Sequence, residues 1–210
     1  MKKTFYMMRH GQTVFNLKGK IQGSCDSLLT ELGVKQAQLT SEFFKDIKLD
    51  HLYCSTTERA SDTLEIVTQS RMPYTRLKSL KEINFGIFEG DNEDELNRSY
   101  PGLFSQLVMY FERGKGDFDQ EEFEAFLVKN GGELREAYQE RIVKTCHRIM
   151  EQDDHQNVLV VSHMGACLCF LEHCYEEAAS FSRENFSNCA ILKYEYENGK
   201  FTFIELIQKC

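Results

Sequence analysis

Short apolar blocks separated by polar turns set the rhythm of this chain. Thr4-Phe5-Tyr6-Met7-Met8 is a brief apolar run that stops at Arg9-His10-Gly11, which predicts a buried strand entering a turn. Leu32, Leu39, Phe43 and Ile47 recur at helical spacing and mark a helix by one apolar face. Leu52-Tyr53-Cys54 predicts a second buried strand. Ser55-Thr56-Thr57-Glu58 follows as a capping-box pattern, with Ser55 as cap and Glu58 reaching back, and Ala60, Leu64 and Val67 continue the helix. Leu134, Tyr138, Ile142, Cys146 and Ile149 predict a long amphipathic helix. Val158-Leu159-Val160-Val161 is the strongest strand signal and ends in Ser162-His163-Met164-Gly165 ahead of another helical stretch. Ala190–Tyr196 and Phe201–Ile207, joined by Glu197-Asn198-Gly199-Lys200, predict a hairpin because Asn-Gly tolerates positive φ.

Strands alternating with helices predict a three-layer α/β/α fold with a mostly parallel sheet. Such sheets bind ligands beyond the carboxyl ends of their strands, where the clusters around His10, Ser55/Arg59 and His163 fall. With 210 residues, two prolines, 13 glycines and no linker or repeat, the chain is expected to form one domain over residues 1–210.

Composition narrows the class. The longest apolar stretch, Val158–Leu171, is too short to span a bilayer and contains Ser162 and His163. Met1-Lys2-Lys3 is followed too soon by Arg9 and His10 for a secretory core, so a soluble cytoplasmic protein is expected. A net charge of −8 without a Lys/Arg run argues against nucleic acid and anionic membrane as partners. The cysteines at 25, 54, 146, 167, 169, 174, 189 and 210 read as reduced thiols.

The strand-end residues carry the chemistry. A rigidly held His10 beside the guanidinium fork of Arg9 suits a phosphoryl group. Taken singly, His10 reads first as a strand-end imidazole satisfied by a carbonyl, Arg59 as a solvated helix charge, and Ser55 as a helix cap. The junction at Ser162-His163-Met164-Gly165 repeats the arrangement of His10, and its helix N-terminus is a candidate anion site. Two such histidines and two arginines in one domain are hard to attribute to accident.

The ordered set resembles the histidine phosphatase superfamily, which includes the cofactor-dependent phosphoglycerate mutases. The resemblance runs through Arg9-His10-Gly11-Gln12-Thr13, Asn16, Gln22-Gly23, Asp26–Thr30, Gly33, Gln36 and Ala37. It continues through Ser55–Thr63, Glu82, Gly86, Glu89-Gly90, Gly131-Gly132-Glu133, Val161–Gly165 and Asn188. Leu29 and Leu134 depart from the family's usual residues. The resemblance implies a phosphoglycerate mutase-like fold and a metal-independent enzyme without a cofactor. It implies that His10 is the nucleophile that becomes phosphohistidine, and that Arg9, Arg59 and His163 stabilise the transferring group. Asn16, Gln22 and Gly23 complete the phosphate site. Glu82 serves as acid and then base, a task suited to a carboxyl raised by partial burial; its flank Ile83, Phe85 and Ile87 fits. Glu89 competes for that role.

Lys81-Glu82-Ile83-Asn84-Phe85-Gly86 resembles the phosphatase branch rather than the mutases. The expected substrate is a small phosphorylated metabolite hydrolysed as a phosphate monoester. A phosphoglycerate or sugar-phosphate mutase and a catalytically silent interaction protein are the alternatives. Residues 91–130 hold ten acidic and four basic side chains, a net −6, and the resemblance makes this segment a helical cover. An acidic cover disfavours highly anionic substrates, although a solvated helical face explains the charges equally. Its aromatics, Tyr100, Phe104, Tyr110, Phe111, Phe118, Phe123 and Phe126, fit a core, and some are expected to border the substrate. Cys167, Cys169 and Cys174 with His173 match no zinc spacing, and His51, His147 and His155 show no supporting constellation.

Overall fold

In the computed structural model the apolar blocks become strands β1 (Lys3–Arg9), β2 (His51–Ser55), β3 (Thr75–Leu77), β4 (Asn157–Ser162), β5 (Ile191–Glu197) and β6 (Lys200–Ile207). The structure describes residues 2–113, 116, 118–181 and 185–209; Met1, Lys115, Asp117 and Cys210, used above, lie outside them. The strands form one sheet in the order β3-β2-β4-β1-β5-β6. The pairs among β3, β2, β4 and β1 are parallel, and the β5–β6 hairpin adds two antiparallel pairs at the other edge. Asn198 and Gly199 at its tip have φ of 52° and 76°, the positive values such a turn demands.

The helices are α1 (Val14–Leu17), α2 (Glu31–Phe43), α3 (Glu58–Thr68), α4 (Glu93–Ser99), α5 (Leu103–Arg113), α6 (Gln120–Lys129), α7 (Arg135–Met150) and α8 (Met164–Cys174). Strand alternation sorts the core into two layers. Phe5, Met7, Val158 and Val160 pack with α7 and α8 on one face. Tyr6, Met8, Leu159 and Val161 pack with α2 and α3 on the other. Residues 91–130 contribute α4–α6, whose Leu96, Leu107, Tyr110, Phe123 and Leu127 build a third cluster around Phe88. Among the described residues, no helix is long and apolar enough to cross a membrane.

Two local expectations are corrected. Leu32 and Leu39 point to solvent, and α2 instead buries Gly33, Ala37, Thr40 and Ser41. Small side chains let α2 lie close to α3, while the other two expected positions, Phe43 and Ile47, do pack against the core beside Tyr6. Nor does Ser55 cap α3. The N-cap is Thr57, which makes no side-chain capping bond, while Ser55 ends β2 and accepts the Thr57 N–H at 3.1 Å.

Candidate active site

Register builds the site. Arg9 on β1 lies opposite Ser162 on β4, so the next residues, His10 and His163, leave the sheet side by side. Their ring centroids are 5.3 Å apart, and both imidazoles are buried. Arg59, in the first turn of α3, lies across them: Nε donates to His10 Nε2 at 3.2 Å and a terminal nitrogen donates to His163 Nδ1 at 3.0 Å. The guanidinium also donates to the Gly23 carbonyl at 2.8 Å, the Cys25 carbonyl at 2.6 Å and Asp26 Oδ1 at 3.0 Å. All five of its N–H groups are thereby engaged.

These bonds fix both tautomers. His10 Nδ1 lies 2.7 Å from the Gly11 carbonyl, which only accepts, so Nδ1 carries the proton and Nε2 the lone pair. His163 Nδ1 accepts from Arg59, so its Nε2 is the donor to Ser55 Oγ at 2.8 Å. Burial first, then the Arg59 charge, hold both imidazoles well below the ordinary histidine pKa.

Glu82 closes the site from the loop after β3 and is buried. Its Oε1 accepts from the Tyr138 hydroxyl and from the Ile83 N–H at 3.0 Å; Oε2 accepts from the Gly165 N–H at 2.9 Å. The anion at the N-terminus of α8 is therefore this carboxylate. A Cβ on Gly165 would stand 2.5 Å from Oε1, so a larger residue there would push the Glu82 carboxylate from its place. Of its expected apolar flank, Ile83 is buried, but Ile87 is exposed.

A cavity of about 560 Å³ opens beside His10, and Arg9, Asn16, Gln22 and Glu82 line it. Arg9 donates to the Phe186 carbonyl at 2.6 Å. Asn16 Oδ1 and Gln22 Oε1 accept from Thr13, at 3.2 and 2.7 Å. Arg59, His163 and Gly23 sit behind these groups: Arg59 is 1% and His163 0% exposed. A Cβ on Gly23 would meet the Ile83 carbonyl at 2.2 Å, so Gly23 serves packing as well as the Arg59 bond.

Other expectations sort cleanly. Glu89 turns to backbone, accepting from Ser24 at 2.8 Å and Phe85 at 3.0 Å, so it braces the loop that holds Arg59. Phe104 and Phe111 of the cover reach the cavity wall, whereas Tyr110 and Phe123 are buried in the cover's own core. None of the described acidic residues of 91–130 lines the cavity; Asp119 and Glu95 serve helix starts instead. Cys25, Cys54, Cys146, Cys167, Cys169 and Cys174 are free thiols. His51 and His155 do have a constellation, contrary to expectation: both contact Asp154, at 3.1 and 2.7 Å. Their rings stack at 3.7 Å and 7°, so their in-plane lone pairs run side by side and do not converge on one point.

The sequence profile of the histidine phosphatase superfamily (branch 1) matches residues 5–208. The chain belongs to this superfamily. The 6-phosphofructo-2-kinase/fructose-2,6-bisphosphatase 3 of Bos taurus is 30% identical over 179 residues, covering 84% of this chain and 34% of that protein. The chain thus spans about a third of that relative's length. The probable phosphoglycerate mutase GpmB of Proteus mirabilis is 28% identical over 196 residues, covering 92% of this chain and 85% of that protein. Bacillus stearothermophilus YhfR superposes with a TM-score of 0.81 at 25% identity, covering 95% and 94% of the two chains.

Within this histidine phosphatase-superfamily site, the roles of three supporting residues escaped sequence reasoning, and one of them, Arg141, was not singled out at all. Tyr138 was legible as core, but its hydroxyl binds Glu82. Arg141, one turn on, donates to the carbonyls of Ser79, Lys81 and Glu82 at 2.9, 2.7 and 3.1 Å and to Glu133 at 2.6 Å. Ser55 receives His163. The i, i+3 spacing of Tyr138 and Arg141 on α7 was the available signal for the first two.

Proposed function

We propose that the chain is a metal-independent phosphatase that hydrolyses a small phosphate monoester through a phosphohistidine at His10. One observation carries this reading: the His10 Nε2 lone pair faces Arg59 while Nδ1–H is anchored on Gly11. As a phosphoryl group enters from Arg9, Asn16 and Gln22, Arg59 exchanges its bond to His10 for a phosphoryl oxygen. The freed Nε2 lone pair attacks phosphorus in line and the bond to the alcohol oxygen breaks. The Glu82 carboxylate takes the proton carried by the monoanionic ester and passes it to the leaving oxygen. Water then attacks phosphorus, Glu82 takes its proton, and the N–P bond breaks with its electron pair returning to Nε2. Arg59 supplies fixed positive potential behind the group, and neutral His163 holds the Arg59 guanidinium in place.

The test uses p-nitrophenyl phosphate with a chelator present. The wild type turns over undiminished, and His10→Ala lowers kcat by about 10³-fold or more. Equal rates in both would remove His10 from the mechanism. Supplied with 3-phosphoglycerate and a bisphosphate primer, the enzyme is expected to release phosphate faster than it forms isomer. The reverse would make it a mutase, as the name of the Proteus relative has it.

A further inference from the structure

The polar end of the cavity accounts for only part of its lining. Beyond Glu82 the wall is Phe85, Val108 and Phe111 from the cover side, Met164 and Leu168 from α8, and Phe181. Phe85 and Phe111 meet edge to face at 5.2 Å, which makes that side rigid. The volume, about 560 Å³, lies in the range that encloses most of a drug-sized ligand. It far exceeds what a three-carbon acid needs.

Two further cations line the cavity, and each already has an anion. Lys20 holds Glu95 at 3.2 Å and the Gly90 carbonyl; Arg135 holds the Glu172 carboxylate. A second phosphate or a carboxylate on the substrate would meet cations whose charge Glu95 and Glu172 already balance, with the buried Arg135 Nε the donor left over. A hydrocarbon group needs no cation and gains from leaving water.

We infer that the substrate's alcohol is bulky, apolar and without a second anionic group: the site takes hydrophobic phosphomonoesters in preference to phosphorylated acids and bisphosphates. Phe111, Val108 and Leu168 determine that specificity. The inference rests on the phosphatase reading and names the substrate class of the same site.

The experiment is a series of primary n-alkyl phosphates from ethyl to hexyl, in which the leaving alkoxide is nearly constant and only apolar surface grows. Expected is a rise in kcat/KM of about fourfold per methylene. The ω-carboxylated hexyl ester should fall at least about tenfold below hexyl phosphate. Val108→Asn, at a half-buried position that tolerates a polar side chain, should lower the hexyl-to-ethyl ratio about tenfold. That ratio cancels any loss of folded protein. The matching alkylphosphonates, titrated calorimetrically, report the same selectivity without turnover. Turnover with a flat series, or a preference for the carboxylated ester, overturns this inference and leaves the phosphatase reading standing. Graded phosphonate binding without hydrolysis of any ester overturns the phosphatase reading alone.

Discussion

Glu82 receives three donors, and each leaves a mark that substitution can read. The Tyr138 hydroxyl is the one side-chain donor among them, and burial and the neighbouring Glu82 charge push its pKa well above the ordinary tyrosine value, so it stays a donor. Tyr138→Phe removes that bond while keeping the ring. A proton donor matters most when the leaving group is a poor one. The variant is expected to lose about tenfold in kcat on an alkyl phosphate and much less on p-nitrophenyl phosphate, whose phenolate departs unaided. Equal losses on both would mean that Tyr138 only holds the fold. Sequence periodicity found this residue and missed its role, because an aromatic at helical spacing satisfies the core pattern whether or not its oxygen has work to do.

At the scale of elements, α2 separates bulk from burial. Leu39 is 57% exposed while Ala37 is fully buried. Leu39→Lys should change unfolding free energy by no more than about 0.5 kcal/mol. Ala37→Leu should cost about 1–3 kcal/mol by overpacking against α3. Urea denaturation of both variants checks the pair, and a reversed order would restore the face marked by Leu32 and Leu39. The strands were more legible than this helix. β1 and β4 are continuous apolar runs, since a strand covered on both faces needs apolar residues at every position. The inner face of α2 instead depends on how closely α3 approaches, which no single segment encodes. The same limit explains Ser55: its local pattern fits a cap, but its partner, His163, lies 108 residues away.

For the whole molecule, two imidazoles kept neutral by burial and by Arg59 make stability depend on pH. In the unfolded chain each takes a proton below about pH 6.5, whereas the folded protein resists protonation until well below that. The unfolded state then binds more protons, so their contribution is complete above about pH 6.5 and is lost as the pH falls below it, by up to about 1.4 kcal/mol per pH unit per histidine. His163→Gln removes one of them. Its stability deficit against wild type should therefore narrow between pH 7.5 and 5.5 in denaturant titrations; a constant deficit would mean that His163 does not titrate on unfolding. The overall architecture was legible because alternating element types leave few ways to cover a sheet, and the strand-end histidines were legible because parallel register brings their positions together. The loop contacts that complete the site were not, since the Gly23 and Cys25 carbonyls carry no side-chain signature. Those carbonyls also govern how the anchor arginine behaves. Arg59 has spent its whole donor capacity inside the protein before any ester arrives, so an incoming oxygen inherits a bond only by outbidding an existing holder. Spent inorganic phosphate gains little by that exchange and leaves readily, while the more highly charged oxygens of the reacting geometry win it outright.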